Sequence, residues 1–130
     1  MAGGAACLSV VDPYLGHAWM YDLIFGPRLV DFIKDLIGED IACWGTHYFC
    51  KLPHEPKQVA WHQDAFYWPF EKARTVTVWL AIDDADEDNG AMRVIPGSHR
   101  HGQIGYQQSS ADEHNVLNQT VRDPLDYGGA

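Results

Sequence analysis

Residues 75–83 alternate without a break. Val76, Val78, Leu80 and Ile82 fall on one side of an extended chain, and Thr75, Thr77, Trp79, Ala81 and Asp83 on the other. Strand side chains point to opposite faces in turn, so this pattern predicts a strand with an aliphatic core face and a mixed opposite face. A Thr/Trp/Ala face suits the inside of a barrel that holds a ligand. A second run, Ile41 to Leu52, is rich in aromatic residues and free of proline until Pro53. Its alternation places Cys43, Gly45, His47, Phe49 and Lys51 on one face and Trp44, Thr46, Tyr48 and Cys50 on the other. Ala91 to Ile95 reads as a shorter strand, opened by Asn89-Gly90 and broken by Pro96-Gly97-Ser98.

Between these runs lies Trp61-His62-Gln63-Asp64. Gln58 to Asp64 is expected to be extended. The imidazole of His62 and the carboxylate of Asp64, two residues apart, then project from the same edge. One nitrogen and one oxygen donor side by side make two-thirds of the two-histidine, one-carboxylate facial triad, which holds non-haem Fe(II) and leaves positions open for co-substrate and O₂.

The remaining chain is organised around these strands. Pro27 to Ile37 predicts a helix: Pro27 suits the first helical position, Gly38 can end it, and Leu29, Phe32, Ile33, Leu36 and Ile37 form one apolar stripe, expected to pack on a sheet. Pro13 to Phe25 is aromatic-rich and compatible with helix, and Pro53 to Lys57 is a loop. Beyond Gly102 the composition predicts a polar, irregular excursion over Gln103 to Gln119, with a short apolar piece at Val116-Leu117 and a turn at Asp123-Pro124.

A formal net charge of −9 argues against nucleic acid and against anionic membrane surfaces as partners. No apolar run approaches the roughly 20 residues of a membrane helix. The start, Met1 to Cys7, lacks a basic segment followed by a long apolar one, and Met-Ala excludes N-myristoylation. Three cysteines, Cys7, Cys43 and Cys50, with no CxxC spacing, suggest reduced thiols and a cytoplasmic setting.

Several motifs together carry a resemblance. Trp61-His62-Gln63-Asp64, Tyr67-Trp68-Pro69, the strand through Ile82, and Asp86-Glu87-Asp88-Asn89-Gly90-Ala91-Met92-Arg93-Val94-Ile95-Pro96-Gly97-Ser98-His99 follow one another. The block resembles the phytanoyl-CoA dioxygenase family of Fe(II)/2-oxoglutarate oxygenases, well over residues 41–105 and loosely at the flanks. The resemblance implies a mainly β double-stranded β-helix, jelly-roll or cupin-like, with an N-terminal helix. Residues 1–40 would be the helical part and 41–130 the first strands, in a single partial domain that is incomplete at its C-terminus. It implies Fe(II), with 2-oxoglutarate and O₂ as co-substrates, and hydroxylation of a small molecule with release of succinate and CO₂. His62 and Asp64 become metal ligands. Lys51, His47, Gln63 and Trp79 become co-substrate contacts, with Lys51 a cation for a dicarboxylate. A carboxylate at 64 argues against the halogenating relatives, which carry a small residue there.

The family's distal histidine and the arginine that follows it are not evident. His99 sits in the Pro-Gly-Ser-His turn and His101 beside it. His114, with Arg122 eight residues on, mimics the spacing but precedes the region where the family's last strands begin. Three readings therefore stand: an oxygenase of this type, a truncated or degenerate cupin-like module that binds without turnover, and a calcium module on Asp83, Asp84, Asp86, Glu87 and Asp88. The calcium pattern fails at its sixth and twelfth places, Asn89 and Ile95, so a solvated acidic turn is the expectation.

Overall fold

The computed structural model describes residues 7–70 and 74–128. The reading of the first six residues as neither signal peptide nor acylation site lies outside them. The chain divides into two compact units that interleave in sequence: Met1–Glu55 with Lys72–Val78, and Pro56–Glu71 with Trp79–Ala130. The first unit joins the helical part expected over residues 1–40 to residues of the strand part. Strand pairing explains this.

In the first unit, β1 (Cys7–Val11) pairs antiparallel with β2 (His47–Lys51), in a register that sets Cys7 opposite Lys51 and Val11 opposite His47. β1 was not visible in the sequence, and its pairing ties β2 to the N-terminal helices. Asp12 closes the pair. Its backbone turns left-handed (φ 48°), its N–H donates to the Thr46 carbonyl at 2.7 Å, and its Oδ1 accepts the Thr46 N–H at 2.8 Å. Asp is one of the few residues that visits this conformation readily. Only 47–51 of the expected strand 41–52 is laddered, but there the alternation holds: His47, Phe49 and Lys51 face outward while Tyr48 and Cys50 are half-buried.

Two helices follow β1: α1 (Ala18–Ile24) and α2 (Pro27–Ile37). The bounds of α2 agree with the sequence, with Pro27 at the first turn and Gly38 (φ 101°) past the last. Gly26 lies between the helices, where a Cβ would come within 2.8 Å of the Asp22 carbonyl oxygen. The expected packing of the α2 stripe is only partly realised. Leu29, Ile33 and Ile37 are half-buried, but Phe32 and Leu36 remain 73% and 68% exposed. α2 packs with α1, and this leaves those two side chains in solvent.

The second unit holds the other sheet, β3 (Tyr106–Gln108) antiparallel to β4 (Gln119–Val121), with Tyr106 opposite Val121. Flanking bonds lengthen the ladder: Ser109 N–H to Asn118 O at 3.1 Å and Arg122 N–H to Gly105 O at 2.9 Å. Part of the predicted irregular excursion, residues 106–108 and 119, is therefore sheet. Ile104 and Val121, 7% and 5% exposed, are the buried apolar side chains among the described residues.

Three expected strands are not laddered. Residues 75–81 belong to no strand and 82–83 form a bend, with Val78, Leu80 and Ile82 exposed. Ala91 to Ile95 is likewise outside any strand: the Ala91 N–H donates to Asp86 O at 2.9 Å, and the segment ends at a turn with Gly97 at φ 82°. Alternation supplies a strand's faces, but a strand also requires partners for its N–H and C=O groups. Gln58 to Asp64 makes one parallel bridge, Gln58 to Asn115, and then turns at Asp64 into a 3₁₀ segment, Asp64–Tyr67. The four short strands are what the described residues display of the expected jelly roll.

With so little apolar surface enclosed, the stability of each unit rests on few side chains. Ile104→Ala is expected to cost about 2–5 kcal/mol, and Phe32→Ala at its exposed position about 0.5 kcal/mol or less. Urea denaturation followed by tryptophan fluorescence separates the two.

Candidate metal centre

The centre is assembled by the segment from Gln58 to Asp64, which lies along the β3–β4 region. Gln58 N–H donates to His114 O at 3.1 Å, and Val116 N–H donates to Gln58 O at 2.8 Å. The Ala60 N–H donates to Asn115 Oδ1 at 3.0 Å. Trp61 O accepts the Val121 N–H at 2.8 Å and the Thr120 hydroxyl at 3.4 Å. The segment is thus fixed along its backbone before the functional side chains begin.

His62 and Asp64 meet as the spacing suggested, although by a different backbone path. Gln63 is extended (φ −113°, ψ 122°) and Asp64 opens the 3₁₀ turn, which brings Asp64 Oδ1 to 3.1 Å from His62 Nε2. The other ring nitrogen, Nδ1, lies 2.8 Å from the Ala60 carbonyl oxygen, which can only accept. Nε2 is the nitrogen that faces the carboxylate, and with a cation on Nε2 the Nδ1–H would donate to that carbonyl. A metal-binding histidine is arranged in this way, with its second N–H on a carbonyl and its free lone pair aimed at the ion.

In the metal-free chain both ring nitrogens face acceptors, which favours the imidazolium. The Asp64 hydrogen bond raises the His62 pKa above its ordinary value, burial opposes it, and the Ala60 carbonyl and the Asp64 charge add to the rise. A cation placed between Nε2 and Oδ1 takes over the role of that proton. The donor set, one imidazole nitrogen and one carboxylate oxygen, fits two of the three protein positions of a facial triad.

Gln63 was expected beside the co-substrate. Alternation turns it away from His62 and Asp64, and the structure gives it another use. Its Nε2 donates to Gly102 O at 2.8 Å, its Oε1 accepts the Ile104 N–H at 2.9 Å, and its backbone N–H donates to the Tyr106 hydroxyl at 2.6 Å. The amide is a clamp that fastens the motif to residues 102–106. The Tyr106 ring stacks on Phe66 at 4.3 Å between centroids, and burial, ahead of weaker opposing and reinforcing effects, pushes its hydroxyl pKa up. Tyr67 stands edge-on to His62 at 6.3 Å and packs against Phe66 at 5.3 Å. The aromatic residues after the motif therefore wall one side of the pair.

The other expected site residues are placed as follows. His47 and Lys51 share the outward face of β2 in the first unit, with the His47 ring 5.7 Å from Phe49. Trp79 is half-exposed at the head of the second unit's later segment. His114 is an exposed residue in a left-handed turn (φ 50°), where its carbonyl rather than its ring is engaged. Among the described residues no three His, Cys, Asp or Glu side chains gather in a way that could hold a metal, so His114 does not join His62 and Asp64. The same holds for the acidic turn. Asp86 Oδ1 accepts the N–H groups of Asp88 and Asn89, both at 3.0 Å, and Asn89 Nδ2 donates to Asp84 O at 2.8 Å. Cys43 and Cys50 are free thiols. Sequence reasoning missed Asn115 and Tyr106, whose only local signals are a polar residue after a histidine and a tyrosine beside two glutamines.

Comparison with known proteins now decides the lineage. The model of the family "Phytanoyl-CoA dioxygenase (PhyH)" matches residues 10–127. The chain belongs to the phytanoyl-CoA dioxygenase family. Members are cupin-like dioxygenases that depend on Fe(II), 2-oxoglutarate and O₂. Phytanoyl-CoA dioxygenase domain-containing protein 1 of Mus musculus is 41% identical over 95 residues, 68% of this chain and 33% of that protein. A probable alpha-ketoglutarate-dependent hypophosphite dioxygenase of Stutzerimonas stutzeri is 31% identical over 91 residues, 70% of this chain and 32% of that protein. L-proline trans-4-hydroxylase of Streptomyces griseoviridis is 31% identical over 80 residues, 58% of this chain and 30% of that protein. The chain thus spans about a third of the length of these curated relatives. No solved structure matches it. Among the described residues, no helix is long and apolar enough to cross a membrane.

Two outcomes follow from the geometry. In an NMR pH titration of the metal-free chain, His62 should titrate above the ordinary value of about 6.5, and Asp64→Asn should bring it down. Because the folded value is raised, the ion pair stabilises the fold fully below about pH 6.5, and that contribution is lost as pH rises through the folded value. Gln63→Ala strands the Ile104 N–H and should destabilise the chain by about 1–3 kcal/mol, read as a lower urea midpoint.

Proposed function

We propose that the chain carries the metal-binding pair of an Fe(II)/2-oxoglutarate-dependent dioxygenase that hydroxylates a small organic substrate, with release of succinate and CO₂. The observation that carries this reading is the His62–Asp64 geometry: Nε2 and Oδ1 3.1 Å apart, with Nδ1 committed to a backbone carbonyl. Membership of a family of dioxygenases supports it. The strands would belong to the double-stranded β-helix of that family, in one partial domain, and the unpaired cysteines agree with a cytoplasmic setting.

Each residue then has a stated task. His62 would offer Nε2 to iron while the Ala60 carbonyl holds its ring, and Asp64 would offer a carboxylate oxygen and offset the ion's charge. When bound, iron with 2-oxoglutarate and O₂ supplies the oxidising power that converts a C–H bond to C–OH as the keto-acid becomes succinate and CO₂. Lys51 is suited by charge to a carboxylate of the keto-acid, with His47 on the same strand face, and Trp79 offers an apolar wall. Tyr67, edge-on to His62, would flank one side of the metal pair.

A second reading is favoured by one observation. The described residues bring together two metal-binding side chains rather than three, which supports a non-catalytic, cupin-like module that binds a small molecule. Anaerobic Fe(II) titration followed by a 2-oxoglutarate turnover assay distinguishes the readings. The oxygenase predicts Fe(II) binding, weak with two protein ligands, and succinate release, both abolished by His62→Ala and Asp64→Ala. Iron-independent binding without succinate favours the module. Succinate release that survives Asp64→Ala overturns Asp64 as a ligand.

A further inference from the structure

A cavity of about 570 Å³ opens in the second unit at the start of the segment that leads to His62 and Asp64, neither of which lines it. The polar residues Lys57, Gln108, Ser109, Ser110, His114 and Asn118 make up most of its wall. The volume falls within the range of small-molecule sites, roughly 300–1,000 Å³. The lining departs from the usual apolar one, because Leu117 is its one apolar side chain. A ligand that fits must therefore be polar.

Charge decides the sign of that ligand. The chain carries 18 Asp and Glu against 9 Lys and Arg, yet no carboxylate lines this cavity and Lys57 supplies a full positive charge. Asp112 and Glu113 stand in the 3₁₀ turn between Ser110 and His114, exposed to solvent and outside the lining. Among the described residues, the side chains of Lys57, Gln108, Ser110, His114 and Asn118 have no hydrogen-bond or ion-pair partner.

Ser109 is set by its neighbour. Asn115 Nδ2 donates to the Ser109 hydroxyl oxygen at 2.6 Å, so the Ser109 O–H proton is left for another acceptor. Asn115 is itself saturated: Oδ1 accepts the N–H groups of Ala60 at 3.0 Å and Leu117 at 3.1 Å, and Nδ2 also donates to the Gln119 carbonyl at 3.2 Å. This wall is fixed before any ligand arrives, which lowers the cost of binding.

The inventory of free groups defines the ligand. The Lys57 ammonium only donates, the Ser109 hydroxyl has a proton to give, and an imidazole at 114 offers an N–H in either protonation state. One full cation matches one negative charge. A dianion would leave a charge uncompensated in a chain of net charge −9. The amides of Gln108 and Asn118 and the hydroxyl of Ser110 both donate and accept, as hydroxyl groups on a ligand require. We propose that this cavity binds a small monocarboxylate bearing hydroxyl groups, with its carboxylate drawn to Lys57 and the Ser109 hydroxyl and its hydroxyls answered by Gln108, Ser110 and Asn118. The site goes beyond the oxygenase reading and needs no iron.

The test is a ¹H–¹⁵N NMR titration of the whole chain, metal-free and at constant ionic strength. The probes are gluconate, its neutral counterpart sorbitol, and inorganic phosphate. Gluconate should shift the backbone amides of Ser109, Ser110 and Asn118 saturably, in the millimolar range, and sorbitol should bind about 10-fold more weakly or less. Lys57 is exposed, so Lys57→Gln removes the charge without threatening the fold. It should weaken gluconate binding about 5- to 10-fold, whereas Lys34→Gln in the first unit should leave it unchanged. Gluconate shifts that do not saturate, sorbitol that binds as well as gluconate, or a Lys57→Gln chain with unchanged affinity each overturn the proposal. Phosphate binding more tightly than gluconate at the same amides overturns the monocarboxylate assignment. Because no metal is present, none of these outcomes depends on the result of the Fe(II) titration.

Discussion

The hydrogen bonds that fasten residues 58–63 to residues 102–121 are the constraint on which the second unit depends. The segment has no continuous strand partner, yet its polar backbone groups are answered one at a time: Gln58 by His114 and Val116, Ala60 by Asn115, Trp61 by Val121, Gln63 by Tyr106. Backbone polar groups that leave water need such partners. The consequence reaches the chemistry. A histidine and an aspartate two residues apart on a free loop would sample many separations. On a segment held at both ends they are kept at 3.1 Å.

Two side-chain amides do much of this holding, and their chemistry explains why. Like a peptide group, a carboxamide has both a donor and an acceptor, so it can stand in for a missing strand. Gln63 bridges the Gly102 carbonyl and the Ile104 N–H as an adjacent strand would. Asn115 does the same for Ala60, Leu117 and Gln119. A carboxylate lacks the donors and an ammonium the acceptor. His62 and Asp64, the proposed metal pair, therefore sit between two uncharged clamps, which leaves the local electrostatics to those two side chains.

Family membership and geometry speak to different questions. The family accounts for the order of the motifs and the class of reaction, while the geometry shows how this chain aims one nitrogen and one oxygen at a common point. The aromatic side chains after the motif connect the two. Phe66 and Tyr67 pack beside the pair, and Tyr106, stacked on Phe66, is also the hydroxyl that receives the Gln63 backbone. Apolar packing and polar anchoring thus converge on one turn.

Local periodicity and turn chemistry were enough to read α2 from Pro27 to Ile37, the facing of His47, Phe49 and Lys51 on β2, the acidic turn at 84–89, and the pairing of His62 with Asp64. Each depends on residues within one or two turns of one another. Residues 75–83 show where that reasoning stops: their alternation is clear, but a ladder depends on a second segment that no periodicity names. β1, β3 and β4 were hidden for the same reason. The clamps were less visible still, because Asn115 and Ala60 are 55 residues apart and Gln63 and Ile104 are 41 apart. Residue type determined by itself which atoms could bind a metal, since imidazole and carboxylate carry that chemistry wherever they stand. Only the tertiary structure decided how the His62 ring is aimed, because its Nδ1 meets the carbonyl of Ala60, whose N–H is held by Asn115, 55 residues away.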